Sequence, residues 1–156
     1  MSSVIKFSEA ASLAMHTMVM LAKHPESVLS THEIATRLGV SEAHLSKVLQ
    51  RLTRAGLVKS VRGPKGGFVP ARPTTDITLL EVYESIEGPL TAKTCLLGRR
   101  VCGEGLCILG DLLGTVTEQV RTHLNGTKLS DVAGDRRRGK AGEEPSSPAT
   151  SEAVMI

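Results

Sequence analysis

The chain has 156 residues, enough for one modest domain with a hydrophobic core of its own. Aromatic residues make up only 2% and Trp is absent, so the core has to be built from Leu, Val, Ile, Ala and Met, which suit helix packing. The same scarcity argues against RNA or single-strand binding on stacked aromatic platforms. The net charge is only +3, yet the stretch from Glu42 to Lys65 holds six basic residues and one acid, a net of +5. That concentration suits a phosphate-contacting face, although on charge alone a solvated surface accounts for it equally well.

No run approaches the roughly 20 apolar residues of a membrane span, and residues 1–7 lack the charged start and apolar run of a secretory signal. A cytoplasmic protein is expected. Three cysteines, an odd number, then point to metal binding or redox chemistry rather than a disulfide framework.

In chain order, Phe7 to Lys23 carries Leu13, Met15, Met18, Val19, Leu21 and Ala22 and predicts a mostly buried helix, with Ser8 as N-cap and Pro25 as its stop. Ser30 and Glu33 form a capping box for a second helix that ends at Gly39. Ser41 caps a third, whose Leu45, Val48, Leu49 and Leu52 recur at helical spacing up to Gly56. Leu57–Val61 and Phe68–Ala71 read as two strands joined by a turn of three glycines and a proline, a β-hairpin. Thr78 and Glu81 cap a helix that Gly88-Pro89 ends. Leu90–Cys107 is loop-like and holds every cysteine. From Ile108 to about His123, Leu109, Leu112, Leu113, Val116, Val120 and Leu124 make one apolar stripe of a longer helix, with Asn125-Gly126 as its stop. Leu129–Val132 reads as a last short turn, and Gly134–Ile156 has the composition of a disordered tail.

The expected fold is therefore mostly α. Residues 1–89 form a winged helix-turn-helix domain, 90–107 a cysteine-bearing loop, 108–133 a long C-terminal dimerisation helix and 134–156 a tail. In such a module the second helix of the pair enters the major groove with its N-terminal turns nearest the bases. Ser41, Ala43, His44, Ser46 and Lys47 stand there, with Lys47 able to donate to guanine O6 or N7 and Ser46 able to donate or accept. Arg51 and Arg54 sit further along, towards phosphates, and Arg62 and Lys65 stand in the wing. Glycines 63, 66 and 67 are expected to let the wing backbone approach the sugar-phosphate chain. The apolar stripe of the long helix calls for a two-fold partner, which would set two reading helices about 34 Å apart, one DNA turn.

Gly56-Leu-Val-Lys-Ser-Val-Arg-Gly-Pro-Lys-Gly-Gly-Phe68, the run Ile77–Val82, the Glu87–Pro89 turn and the cysteine loop together resemble the iron–sulfur-sensing winged-helix regulators of the IscR and NsrR type. The resemblance spans about Lys6 to Val132. It implies a homodimer paired through the long helix, a palindromic double-stranded operator, transcription control such as repression, and a 2Fe–2S or 4Fe–4S cluster on the cysteines.

Cys95, Cys102 and Cys107 are soft ligands suited to iron–sulfur clusters and also to zinc, and their spacing alone leaves open both metals and a purely structural role. The chain departs from the family pattern in three ways. The middle cysteine is shifted by one residue, Gly110 stands where one branch has a histidine, and Ser12 stands where others have a carboxylate ligand. Glu9, His16, Glu104 and Asp111 remain as candidates for a fourth ligand. A thiol redox enzyme is the weaker alternative, since no Cys-x-x-Cys motif, phosphate-cradling loop or nucleophile–base pair is present.

Overall fold

The structure is a computed structural model that describes residues 7–91, 109 and 111–134. The cysteine segment and the tail expected beyond Gly134 lie outside the described residues. Helix α1 spans Glu9–Lys23, α2 Thr31–Leu38 and α3 Glu42–Arg54. Strands β1 (Val58–Val61) and β2 (Gly67–Pro70) pair antiparallel, with Val58 opposite Pro70 and Val61 opposite Gly67. A 3-10 turn at Thr74–Asp76 leads to α4 (Leu79–Glu87), α5 (Leu112–Gly126) and α6 (Leu129–Ala133).

The caps written in the sequence are the caps observed. Ser8 Oγ accepts from Ala11 N, and Ser41 Oγ accepts from His44 N at 3.2 Å. In the capping box of α2, Glu33 N donates to Ser30 Oγ while Ser30 N donates to Glu33 Oε2 at 2.8 Å. Thr78 and Glu81 repeat the arrangement at α4. Each box satisfies two amides that the first helical turn leaves without a partner. Gly39 takes the left-handed conformation (φ 66°) that ends α2 and turns the chain into α3.

One core cluster joins α1, α2, α3, β1 and the far C-terminal end. Met18, Leu21, Ile34, Leu45, Leu52, Ile77 and Leu129 are fully buried in it. It is aliphatic, as the composition requires. Tyr83, the one buried aromatic residue among those described, sits in a smaller cluster with Leu80, Leu90 and Leu124 and meets Phe7 edge-to-face at 5.3 Å.

Two features differ from the sequence-based expectation. Helix α5 starts at Leu112, not Ile108: Leu109 and Asp111 lie in a turn, and the first helical bond of α5 runs from Thr115 N to Asp111 O. A glycine at position 110 weakens helix propensity just there. Helix α5 also runs through Gly126 rather than stopping before it. The segment after α5 is more than a loose turn. Leu79 N donates to Thr127 O, and Leu129 N donates to Ile77 O at 2.9 Å, so this segment pairs with the residues that lead into α4. Leu129 then drives α6 onto α1.

Candidate nucleic-acid interface

Helix α3 is fixed by its apolar face. Leu45, Val48, Leu49 and Leu52 are each at most 2% exposed, which leaves the helix no freedom to rotate about its axis. The opposite face carries Ala43, Lys47, Gln50 and Arg54, all exposed, with Ser46 half-buried beside them. Several other polar residues of this helix are engaged with the protein itself. Glu42 accepts from His32 Nδ1 at 2.7 Å, His44 Nδ1 lies 3.7 Å from Glu9, and Thr53 Oγ1 donates to Leu49 O. Ser41 holds the N-cap, its Oγ accepting from His44 N.

Arg51 has a partner that the sequence does not show. It is exposed, but its Nη1 donates to Ile86 O at 3.2 Å, in the last turn of α4. A cation at a helix C-terminus is favourably placed against the unpaired carbonyls. Two more bonds meet the same turns of α4: Ser8 N donates to Glu87 Oε1, and Leu90 N donates to Glu84 Oε1 at 2.9 Å. The C-terminal end of α4 thus holds the start of α1, helix α3 and Leu90.

Arg62 and Lys65 are exposed on the wing, and so is Lys59 on β1. Two of the wing glycines stand close to the protein's own backbone. A Cβ on Gly67 would sit 2.3 Å from the Leu29 carbonyl oxygen, and one on Gly66 would sit 2.7 Å from that of Val61. Gly63 has φ 134°, a conformation that side chains disfavour. Leu29, which carries no sequence signal of its own, pairs with Phe68 through bonds in both directions of 3.2 and 2.9 Å. It makes the wing sheet effectively three-stranded at its base and ties it to the start of α2.

Glu33 lies below its ordinary carboxyl pKa, held there first by the Ser30 backbone amide and then by the Ser30 hydroxyl. Burial raises Glu81, but hydrogen bonds from the Thr78 amide and Arg72 outweigh it, so its carboxyl also lies low. Both carboxylates are helix caps.

Cys95, Cys102 and Cys107 lie outside the described residues. Among the described residues no group of three His, Cys, Asp or Glu side chains comes together to hold a metal. Of the candidate fourth ligands, Glu9 faces His44, Asp111 accepts from Thr115 Oγ1, and His16 donates through Nδ1 to Ser12 O at 2.7 Å. Glu104 is outside the described residues.

Residues 7–135 match the family described as Rrf2, iron-dependent transcriptional regulator. The chain belongs to the Rrf2 family. It is 32% identical over 140 residues to the HTH-type transcriptional regulator IscR of Cereibacter sphaeroides, covering 86% of this chain and 90% of that protein. It is 31% identical over 131 residues to YwgB of Bacillus subtilis, covering 82% and 84%. Among solved structures, CymR, the global cysteine regulator of B. subtilis, superposes with a TM-score of 0.72 at 30% identity, covering 83% of this chain and 96% of that one. T. potens IscR superposes at 0.69 and 28%, covering 88% and 94%. The winged-helix fold and the resemblance drawn from the wing and cysteine loop both hold. This Rrf2 protein is a DNA-binding transcriptional regulator and not an enzyme. No helix among its described residues is long and apolar enough to cross a membrane.

Proposed function

We propose that this Rrf2 protein acts in the cytoplasm as a homodimer on a palindromic operator, with an iron–sulfur cluster on Cys95, Cys102 and Cys107 setting its affinity. The observation that carries the DNA half is the exposed stripe of α3, without partners among the described residues and opposite a fully buried face. Ser46 and Lys47 read bases, while Ser41, Ala43 and His44 line the approach in the first turns. Arg54, Arg62 and Lys65 neutralise phosphates. Arg51, exposed and with only its Nη1 on Ile86 O, shares that role through its other N–H groups.

The dimer half rests on α5. Leu113 and Leu124 are buried within the protomer, but Leu112 is 54% exposed and Val116 only half-buried. A two-fold partner on this helix covers what the protomer leaves open.

The cluster half rests on donor chemistry. Three thiolates within thirteen residues fit a cluster in kind, and Lys93, Arg99 and Arg100 offset its negative charge. A bound cluster supplies a redox- and iron-responsive tie between the thiolates. The chain's own part is to relay that tie: Leu90 is held by Glu84, and Arg51 holds the same helix end to α3. The likeness to CymR, named for regulating cysteine, favours a second reading in which the winged helix works without a cluster, or with zinc.

Anaerobic purification with iron, sulfide and zinc analysis separates these readings. A brown protein with near-stoichiometric iron and sulfide is expected. Operator affinity is then measured at fixed salt for loaded, cluster-free and triple-serine protein, with a difference of roughly 5–150-fold expected. Equal affinities remove the sensor, and a colourless protein without iron removes the cluster. Sedimentation of a stable monomer at micromolar concentration removes the dimer.

A further inference from the structure

Gln50 has no part in the proposed function, and the structure gives it a conspicuous place. On α3 the exposed or half-buried polar side chains divide into two sets. Ser41, Glu42, His44, Arg51 and Thr53 each face a group of the protein itself. Ser46, Lys47, Gln50 and Arg54 have no such partner among the described residues, and they fall on one stripe with Ala43. Residues at this spacing lie on one face of a helix.

Gln50 stands between Lys47 and Arg54 on that stripe. From Ala43 to Gln50 the helix rises about 10.5 Å, or about three base-pair steps of 3.4 Å, inside a major groove about 12 Å wide. Its neighbours on the stripe are cationic and are drawn to phosphates or guanine. Gln50 is neutral, so phosphate attraction gives it little. Its carboxamide instead presents one acceptor and two donors in a plane, the complement of the N6 amino group and N7 of adenine.

We propose that Gln50 selects one base pair of the operator by pairing with the major-groove edge of an adenine. This rests on the reading of α3 as the recognition helix.

The test is selection from a pool of DNA duplexes with randomised half-sites, using the anaerobically purified full chain and its Gln50→Ala, Lys47→Ala and Arg54→Ala variants. Wild-type protein is expected to retain adenine at one position of each half-site. Gln50→Ala is expected to lose that preference, with discrimination falling about 5- to 150-fold, while other positions and the salt dependence stay unchanged, since no charge is removed. Gln50 is exposed and caps nothing, and matched thermal melts confirm that the variant folds as wild type does. An unchanged preference at every position, or a uniform loss across sequences, overturns the inference. If neither Lys47→Ala nor Arg54→Ala alters binding, α3 is not the reading helix and the underlying reading fails as well. If they do and Gln50→Ala does not, only the role of Gln50 falls.

Discussion

Replacing Gly67 with alanine tests the claim that the wing glycine serves the fold. The new methyl carbon would stand 2.3 Å from Leu29 O, 2.5 Å from Leu29 C and 2.9 Å from Ser30 N. These are backbone atoms and cannot swing aside, so β2 has to move outward by about an ångström to reach ordinary contact distance near 3.5 Å. That shift lengthens both Leu29–Phe68 bonds, now 3.2 and 2.9 Å, beyond useful range. Two bonds at about 0.5–1.5 kcal/mol each give about 1–3 kcal/mol. Keeping the bonds and accepting the overpacking costs a similar 1–3 kcal/mol, roughly, so the chain takes whichever is cheaper and the two do not add. At about 4 °C per kcal/mol for a chain of this size, the melting temperature should fall by about 4–12 °C. The assay is a thermal melt followed by far-ultraviolet circular dichroism without DNA. A variant that melts with the wild type and loses only operator affinity would restore the alternative, that this glycine makes room for the sugar-phosphate chain.

Leu129→Ala removes a fully buried side chain from the seam between α6 and α1 and should cost about 2–5 kcal/mol in a urea titration; a midpoint shift near zero would mean that α6 does not share the core. Glu81 has a folded-state pKa below its ordinary 4.5. Its stabilising share is thus complete above that value and lost as pH falls through the lower, folded one. Wild type should accordingly lose more stability than Glu81→Gln on acidification through this range, and parallel curves would contradict the cap. Arg54→Ala should flatten the plot of log affinity against log salt by about 0.9; an unchanged slope means that Arg54 touches no phosphate.

Local signals carry most of the fold. Ser30 with Glu33, Ser41, and Thr78 with Glu81 announce three helix starts because a cap is a contact between residues three apart, and such spacing is visible in a sequence. The face of α3 is legible for the same reason. Pairing between distant, short stretches is not. Leu29 against Phe68 and Thr127–Leu129 against Ile77–Leu79 involve too few residues to show periodicity, and their partners lie 39 to 52 positions away. The charge of Arg51 is legible, and its bond to the Ile86 carbonyl is not. Gln50, being neutral, leaves no mark in a search for basic residues. The start of α5 is misplaced in the sequence because apolar spacing continues through Leu109 while the helical backbone does not.

The pairing of Thr127–Leu129 with Ile77–Leu79 also bears on how such a regulator changes over time. The chain is fastened at one end of α4 by Glu84, which accepts from Leu90, and at the other by Leu79 and Ile77, which pair with Thr127 and Leu129. The two anchors are about 13 Å apart, the length of a nine-residue helix. Both anchors belong to α4 and the residues that lead into it, so substitutions between them that spare the buried Leu113 and Leu124 leave these bonds, and the hold of Arg51 on the same helix, in place.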